Sequence, residues 1–387
     1  MSLLPACLGA ATVNSGAQTL KSKLVIGVDG RPLSGPLSGI GRFLTQTLIN
    51  MPSDEVDIRI SCRKPISTHF SYVTELPFLE ITQVPSLFGL PVYKSRQEDV
   101  FWGPAHRLPI GLPPNLPAVV TVHDLVWKKF SHTMRARTRL GEMVLFSKAI
   151  NRADQIICIS QATATELRQF FPHVSAKINM IYPGVLDRRS DPAPASILAP
   201  FILFVGTVEP RKNLVQLLEA FADLSPRILE RYKLVIAGNP GWGGVDIKKV
   251  ISSKGLEGRV TVFESPNDDQ LHSLYANCSF LVLPSLHEGF GLPIIEAMNY
   301  GKPIVTSQIS AMPEVVGSAG LLVDPHSRRS ITHAMQTLIE DPTTYERLKE
   351  NAGIEVRRFN WQVTSRNHLN VFHDAIATSA VNQSQAD

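Results

Sequence analysis

Two glutamates, Glu288 and Glu296, lie eight positions apart in the segment Pro-Ser-Leu-His-Glu-Gly-Phe-Gly-Leu-Pro-Ile-Ile-Glu-Ala-Met. The segment predicts a strand end, a loop and then a helix, and Pro293 suits the first helical turn because its missing N–H costs no hydrogen bond there. Amides just before this turn are unsatisfied donors at the positive end of the helix dipole, so they can hold phosphate or sugar oxygens. Each carboxylate can accept hydrogen bonds from hydroxyl groups of one extended ligand. The loop residues assigned to binding are Gly289, Phe290, Gly291 and Leu292.

A chance pair of acidic residues, one of them capping a helix, is the alternative explanation, and the flanking Gly-Phe-Gly-Leu-Pro argues against it. The pattern resembles the E-x7-E signature of retaining glycosyltransferases of family 4 (group 1). This family has the GT-B fold, in which two Rossmann-like domains face each other across a ligand cleft. The resemblance implies that Glu288 and the loop amides hold the donor sugar and that Glu296 holds the nucleotide ribose.

Two adjacent cations, Arg211 and Lys212, follow another predicted strand in Val-Gly-Thr-Val-Glu-Pro-Arg-Lys-Asn, which begins at Val205. Such a pair can neutralise a pyrophosphate, the leaving group when a nucleotide-sugar bond breaks. Taken alone, the pair reads more simply as a solvated loop. The pair lies one strand-helix-strand pattern upstream of Glu288. At that place it resembles the Arg/Lys pair that binds diphosphate in the family. Gly206, in the same segment, is assigned to substrate binding.

His123 and Asp124 come directly after the predicted strand 118–122. A lone histidine is more often a packed or surface residue than a catalyst, but the carboxyl end of a parallel strand is where ligands bind in such sheets. The family carries His-Asp at this place, which implies that His123 lies near the donor sugar. Asp124 either orients His123 or caps the following turn.

The first strand-to-helix loop contains Gly39, Gly41 and Arg42. It fails as a dinucleotide fingerprint because the third glycine of G-x-G-x-x-G would fall at Leu44. It resembles the first loop of sugar transferases, where glycine lets the backbone approach donor phosphates or acceptor. Arg42 either reaches phosphate or lies on the helix surface. Phe263 falls where the family places its base-binding segment.

Metal and redox chemistry find little support in the sequence. There is no D-x-D motif, and the four cysteines are widely spaced without a C-x-x-C pair, which favours a reducing compartment. Since Arg211 and Lys212 supply cations for the leaving group, we expect no cofactor and no divalent metal. The only small molecule required is the nucleotide-sugar donor.

The elements that must position these residues alternate between strand and helix, which indicates an α/β fold with parallel sheets covered on both faces. The 387 residues are 44% hydrophobic and 19% charged, enough for two globular domains and incompatible with a disordered chain. The expected divisions are a mobile leader (1–22), an N-terminal acceptor-binding Rossmann-like domain (23–190), a C-terminal nucleotide-sugar-binding Rossmann-like domain (191–360), a helix crossing back to the first domain (361–378) and a tail (379–387).

The positive charge is concentrated in the first half. Residues 1–195 hold 21 basic and 14 acidic side chains, whereas the remainder holds 17 and 20. Cations lie beside aromatic residues in 127–130 and 135–139, which resembles an interfacial surface for anionic lipid; a solvated helix face explains them equally well. No nucleic-acid-binding module accompanies the charge, so nucleic acid is not an expected partner. We expect a cytoplasmic protein, with peripheral binding to the inner membrane face as an option.

The function expected from the resemblance is transfer of a hexose, with retained anomeric configuration, from a nucleoside diphosphate sugar to a glycan or lipid-linked glycan in cell-surface polysaccharide biosynthesis. Within the family the motifs look most like those of bacterial mannosyl- and rhamnosyltransferases, so a GDP-linked mannose or deoxyhexose is the leading donor. Two alternatives stay open: a sugar-nucleotide epimerase of the same fold, and a non-catalytic nucleotide-sugar-binding partner of another transferase. The acceptor, the linkage position and the oligomeric state have no signal in the sequence.

Overall fold

A computed structural model describes residues 23–35, 38–87, 90–129, 136–186, 197, 200–241, 243 and 246–384. The expected leader (1–22) lies outside the described residues, as does nearly all of the linker between the two expected domains (187–200). Residues 130–135 lie outside them too, and with them Phe130 and Arg135 of the proposed membrane surface. The domain boundary at residue 190 therefore stays a prediction.

The first half of the chain forms a seven-stranded sheet in which every pair of neighbours is parallel, in the order β3-β2-β1-β6-β7-β8-β9. Its central strands are nearly continuous apolar runs, as expected for strands buried on both faces. The strands are β1 (Leu24–Asp29), β2 (Val56–Cys62), β3 (Leu79–Gln83), β6 (Val100–Gly103), β7 (Ala118–Val122), β8 (Gln155–Cys158) and β9 (Ile178–Met180). A short antiparallel hairpin pairs β4 (Ser86–Leu87) with β5 (Leu90–Pro91).

The second half forms a six-stranded parallel sheet in the order β12-β11-β10-β13-β14-β15. Its strands are β10 (Phe201–Val205), β11 (Lys233–Gly238), β12 (Val260–Glu264), β13 (Phe280–Leu283), β14 (Ile304–Ser307) and β15 (Gly320–Val323). The strand order reverses direction between β10 and β13. Loops that leave the carboxyl ends of these two strands diverge to form a crevice, the usual ligand site of an open α/β sheet.

Helices connect the strands in both halves, and the α/β class expected from the sequence is confirmed. In the first half they are α1 (Gly39–Ile49), α2 (Val126–Lys129), α3 (Ala136–Arg152) and α4 (Gln161–Phe170). In the second they are α5 (Leu214–Ala222), α6 (Pro226–Arg231), α7 (Ile247–Ser253), α8 (Asp268–Asn277), α9 (Leu292–Asn299), α10 (Met312–Val316), α11 (Arg328–Glu340) and α12 (Pro342–Glu355). Ser160 accepts a hydrogen bond from the Thr163 amide at 3.0 Å and so caps the amino end of α4.

A last helix, α13 (Trp361–Ser384), packs against the first sheet rather than the second. Phe372 is fully buried with its ring centroid 5.6 Å from that of Trp102, and the Ser365 hydroxyl donates to the carbonyl of Thr47 at 2.7 Å. The loose tail expected over 379–387 is wrong as far as Ser384, because the helix continues to that residue; 385–387 lie outside the described part. Within the described ranges, no helix combines the length and the apolar character needed to cross a bilayer.

Candidate active site

Glu288, Arg211 and Lys212 form one ion cluster in the crevice between the ends of β10 and β13. The Glu288 carboxylate accepts from Lys212 Nζ at 2.6 Å through Oε1 and from Arg211 Nη1 at 2.9 Å through Oε2. The two cations come from a short 3-10 turn, Pro210–Lys212, that follows β10. The structure therefore brings Glu288 together with two cations that precede it by more than seventy positions.

This cluster is buried, which makes its charges strongly interdependent. The side chains of Glu288 and Lys212 are almost completely excluded from solvent. Burial alone would raise the pKa of Glu288, but the positive charges of Lys212 and Arg211 outweigh it and lower that pKa to about 2. Burial lowers the pKa of Lys212, and Glu288 opposes this shift. At neutral pH Glu288 is consequently an ionised carboxylate.

Three residues missed by the sequence interpretation complete the cluster. The Ser285 hydroxyl donates to Glu288 Oε1 at 2.7 Å, and Glu209 Oε1 lies 2.7 Å from Arg211 Nε. Ser310, with a left-handed φ of +60°, accepts from the Glu288 amide at 3.2 Å and donates to its carbonyl at 2.7 Å. Glu209 could have been noticed as the carboxylate beside two cations, whereas no sequence pattern marks Ser310.

The loop that follows Glu288 contributes backbone rather than side chains. Gly291 has φ +98° and is the N-cap of α9, a conformation that favours glycine because it has no Cβ. The Phe290 ring is buried, and its centroid lies 5.9 Å from the ring centroid of Tyr182 and 5.5 Å from that of Phe359. Leu292 begins α9 and packs against the core. The main-chain groups of this loop are thus better placed to bind a polar ligand than its buried Phe290 side chain.

Gly289 lies against the first domain at a distance that only glycine allows. A Cβ on Gly289 would be 2.0 Å from the carbonyl oxygen of His123 and 3.0 Å from the Cβ of Asp124. The hydroxyl of Thr163 bridges the same contact, lying 3.3 Å from the His123 carbonyl oxygen and 3.2 Å from that of Gly289. The loop that carries Glu288 therefore packs directly on the end of β7.

His123 is a buried, uncharged histidine at this contact. Its Nε2 lies 2.7 Å from the carbonyl of Pro104, and since a carbonyl only accepts, Nε2 carries the proton and Nδ1 is the acceptor nitrogen. Burial lowers the pKa of His123 to about 4. Asp124 accepts from the Val126 amide at 3.2 Å, so of its two expected roles the structure shows capping of α2.

Glu296 lies on α9 beside the same cleft and contacts the first domain. It accepts from the Tyr275 hydroxyl at 2.5 Å, and its Oε1 is 3.6 Å from Arg42 Nη1. Burial and the negative charge of Glu296 together raise the pKa of Tyr275. Arg42 also forms an ion pair with Asp268 at the start of α8. Arg42 therefore joins α1 to two carboxylates of the second domain, and it also lines the cleft.

The remaining predicted residues divide between the cleft and the core. Gly39 is in the first turn of α1, where an added Cβ would lie 3.5 Å from the Leu292 side chain across the cleft. Gly41 is not brought to the site: a Cβ there would lie 2.4 Å from the Phe70 ring, and its amide already donates to Ser38 Oγ at 3.1 Å. Gly41 is thus required for packing within the first domain.

Gly206 and Phe263 stay on the second-domain side of the cleft. A Cβ on Gly206 would lie 3.3 Å from the Cε of Lys212, so this glycine borders the ion cluster. Phe263 is half-buried against the core in β12, the edge strand of the described sheet. An edge strand leaves one row of backbone groups unpaired, so a base-binding role through the main chain stays a prediction. Within the described ranges, no three His, Cys, Asp or Glu side chains are grouped as a metal site would require.

Models of known protein families match both halves of the chain. The model of glycosyl transferases group 1 matches residues 196–354, and that of glycosyltransferase family 4 matches 97–189. The chain therefore carries a family 4 glycosyltransferase domain in its first half and a group 1 glycosyltransferase domain in its second. The first match contains the whole ion cluster together with Glu296, and the second contains His123 and Thr163.

Curated relatives include sugar transferases of several bacteria. The chain is 29% identical over 286 residues to the O-antigen chain mannosyltransferase B of Escherichia coli, covering 70% of this chain and 74% of that protein. It is 32% identical over 227 residues to the serotype-specific mannosyltransferase WbdA of Escherichia coli, covering 55% of this chain and 28% of WbdA. It is also 26% identical over 286 residues to the D-inositol 3-phosphate glycosyltransferase of Corynebacterium glutamicum, covering 69% and 68%.

Solved structures establish the fold. Sucrose-phosphate synthase from Thermosynechococcus elongatus superposes with a TM-score of 0.71 at 19% identity over 92% of this chain and 100% of that one. HepE of Anabaena, in complex with UDP-glucose, gives 0.70 at 20% identity over 91% and 100%. WaaG, a glycosyltransferase of lipopolysaccharide biosynthesis, gives 0.69 at 15% over 90% and 99%. The GT-B arrangement of two Rossmann-like domains is thereby confirmed.

The approach of Gly289 to His123 generates a first prediction. The substitution Gly289→Ala places a methyl group where the His123 carbonyl lies, so the two domains must separate at this point. We expect a larger radius of gyration in small-angle X-ray scattering and a lower thermal midpoint. Gly353→Ala is the matched control, because nothing lies within 4 Å of its added Cβ, in α12. Identical scattering from Gly289→Ala and the wild type would contradict the close contact.

Proposed function

We propose that this glycosyltransferase of glycan biosynthesis transfers mannose, with retention of configuration, from a GDP-linked donor to a glycan acceptor. The observation that carries the proposal is the buried Glu288 carboxylate held between Arg211 and Lys212 at the amino end of α9. The sugar is inferred from the O-antigen and serotype-specific mannosyltransferases that the chain resembles. A GDP-linked deoxyhexose such as rhamnose is the nearest other donor.

The cluster can serve donor sugar and diphosphate at once. An ionised carboxylate offers about four acceptor positions, and Lys212, Arg211 and Ser285 occupy three of them, which leaves one for a sugar hydroxyl. Arg211 and Lys212 keep further N–H donors for phosphate oxygens. The amides at the start of α9 and the helix dipole add to the stabilisation of the charge that develops on the leaving phosphate.

The proposed reaction follows a front-face route. Both oxygens of Glu288 are hydrogen-bonded to cations, which makes the carboxylate a poor nucleophile, and His123 is neutral with its Nε2 proton directed at Pro104. The bond from the anomeric carbon to the β-phosphate oxygen breaks, and the acceptor hydroxyl oxygen bonds to the same face of that carbon. The departing phosphate takes the hydroxyl proton, so no further base is required.

The acceptor is assigned to the first domain. The carboxyl ends of its strands face Glu288 through His123, and the basic excess of the first half suits an anionic or lipid-linked glycan. Such an acceptor would hold the protein on the cytoplasmic face of a membrane by peripheral contact. The relatives act, by their names, on O-antigen chains and on inositol 3-phosphate.

Removal of either cation tests the site. We expect Arg211→Ala and Lys212→Ala each to lower turnover by at least ~10²-fold, because the leaving phosphate loses a charged donor and Glu288 loses its partner. The measurement is mannose transfer from GDP-mannose to an O-antigen-type glycan. Lys349→Ala serves as the control, since Lys349 pairs only with Glu346 among its described contacts and is half exposed. An unchanged rate in either cation variant would move the phosphate site elsewhere.

Removal of divalent metal is a second test. Arg211 and Lys212 supply the positive charge that a metal ion would otherwise bring to the diphosphate, so we propose metal-independent transfer. EDTA in excess over residual metal should leave the initial rate within experimental error. Strong inhibition by EDTA, reversed by added Mg²⁺ or Mn²⁺, would refute metal independence.

The donor base is tested by isothermal titration of the protein with GDP, UDP, ADP and dTDP. We expect GDP to bind at least ~10-fold more tightly than the others. Preference for UDP, the nucleotide bound in HepE, would keep the transferase and overturn the donor. Binding of none would favour a non-catalytic partner, and conversion of a free nucleotide sugar to its epimer would identify an epimerase.

A further inference from the structure

The first two turns of α4 contact three residues of the second domain: Gly289, Glu314 and His287. The Thr163 hydroxyl lies 3.2 Å from the Gly289 carbonyl oxygen, and the Gln161 amide donates to Glu314 at 3.0 Å. One turn further on, both oxygens of the Glu166 carboxylate lie 3.2 Å from Nε2 of His287. One short helix of the acceptor side thus holds the loop that carries Glu288.

Glu166 and His287 form a buried pair that the proposed reaction does not use. Glu166 is 8% exposed and His287 is 2% exposed. Burial acts to raise the pKa of Glu166, but hydrogen bonds from His287 and Lys129 prevail and lower it. The ionised carboxylate can only accept, so Nε2 of His287 carries the proton that joins the two domains. Lys129, on α2, completes the group with an ion pair to Glu166.

The backbone of His287 connects this pair to the ion cluster. Its carbonyl accepts from Arg211 Nη1 at 3.1 Å, and the same nitrogen donates to Glu288 Oε2 at 2.9 Å. The Leu286 amide donates in turn to the Arg211 carbonyl at 2.7 Å. A rotation of the His287 peptide would therefore change the direction of the guanidinium that meets the leaving phosphate.

We propose that Glu166 is a positioning residue for the donor site: from the acceptor domain it fixes the His287 ring, and through the His287 carbonyl it orients the Arg211 guanidinium. Glu166 makes no contact with the donor in this arrangement. The cation reaches its working orientation only when the domains are closed, since Glu166 and His287 belong to different domains. The expected effect of Glu166 on catalysis rests on the proposed function of Arg211. The expected ordering of the Glu288 loop by Glu166 does not rest on it.

Kinetics of three variants test the catalytic part. Glu166→Ala should lower kcat for mannose transfer by ~10- to 100-fold, because a misplacement of about 1 Å in a positioning group has effects of that size. The Kd of GDP should change less than two-fold. Glu166→Gln, which keeps an oxygen to accept from His287, should recover most of the loss. Glu314→Ala, which removes another contact of α4 remote from Arg211, should cost less than three-fold in kcat.

Hydrogen exchange tests the structural part without reference to catalysis. In the full-length protein with GDP, the Leu286 and Glu288 amides should exchange ~10-fold faster in Glu166→Ala than in the wild type, and at the wild-type rate in Glu314→Ala. Should Glu166→Ala fail to fold, Lys129→Met leaves the pair in place but removes its cation and should shift the same amides in the same direction.

The outcomes separate the two proposals. Equal losses of kcat in Glu166→Ala and Glu314→Ala would mean that Glu166 acts only by holding the domains closed, which would overturn its positioning role. Unaltered exchange at the Leu286 and Glu288 amides would overturn that role as well. If the wild-type protein transferred sugar from no nucleotide sugar, the proposed function alone would be overturned. The exchange measurement would still decide whether Glu166 orders the loop that carries Glu288.

Discussion

Burial of one carboxylate between two cations is the constraint on which the donor side of the cleft depends. An unpaired carboxylate at the position of Glu288 would carry a desolvation penalty of several kcal/mol. Arg211 and Lys212 offset it, and they come from the loop after β10 whereas Glu288 follows β13. The cluster therefore ties together the two loops that diverge where the strand order reverses. The same ions that are proposed to meet the donor diphosphate also hold these two loops together.

The two domains meet around this cluster through different kinds of contact. At Gly289 the main chains approach with no side chain between them, whereas Arg42 reaches from α1 to carboxylates on α8 and α9. Helix α4 adds hydrogen bonds at its amino end. The Gln161 and Ala162 amides have no acceptor within the helix, and both donate to Glu314 of the second domain. The interface thus combines polar and backbone contacts with the aromatic contact between Phe290 and Tyr182. Its polar contacts can break and re-form in water at lower cost than an apolar interface of the same area.

What the sequence could predict was governed by distance along the chain. The Glu288 loop and the Arg211–Lys212 pair are local patterns, and the structure has each of them at the strand end where it was expected. Arg42 remained ambiguous because its partner Asp268 is 226 positions away. Gly41 was misassigned for a similar reason, since Phe70 decides its role. Strands β2, β3, β6 and β9 were not predicted, because none of them shows a long apolar run: polar residues interrupt β2 and β3, and β6 and β9 have only four and three residues.

The return of α13 to the first sheet makes the first domain discontinuous in sequence. Phe372 and Ser365 belong to its core although they follow the second domain in the chain. During translation the second domain, which is continuous, can complete its core before the first domain can, reversing the usual N-to-C order. The chain also passes between the domains twice, after β9 and before α13. Two covalent crossings restrict the movement of one domain over the other more than a single linker would.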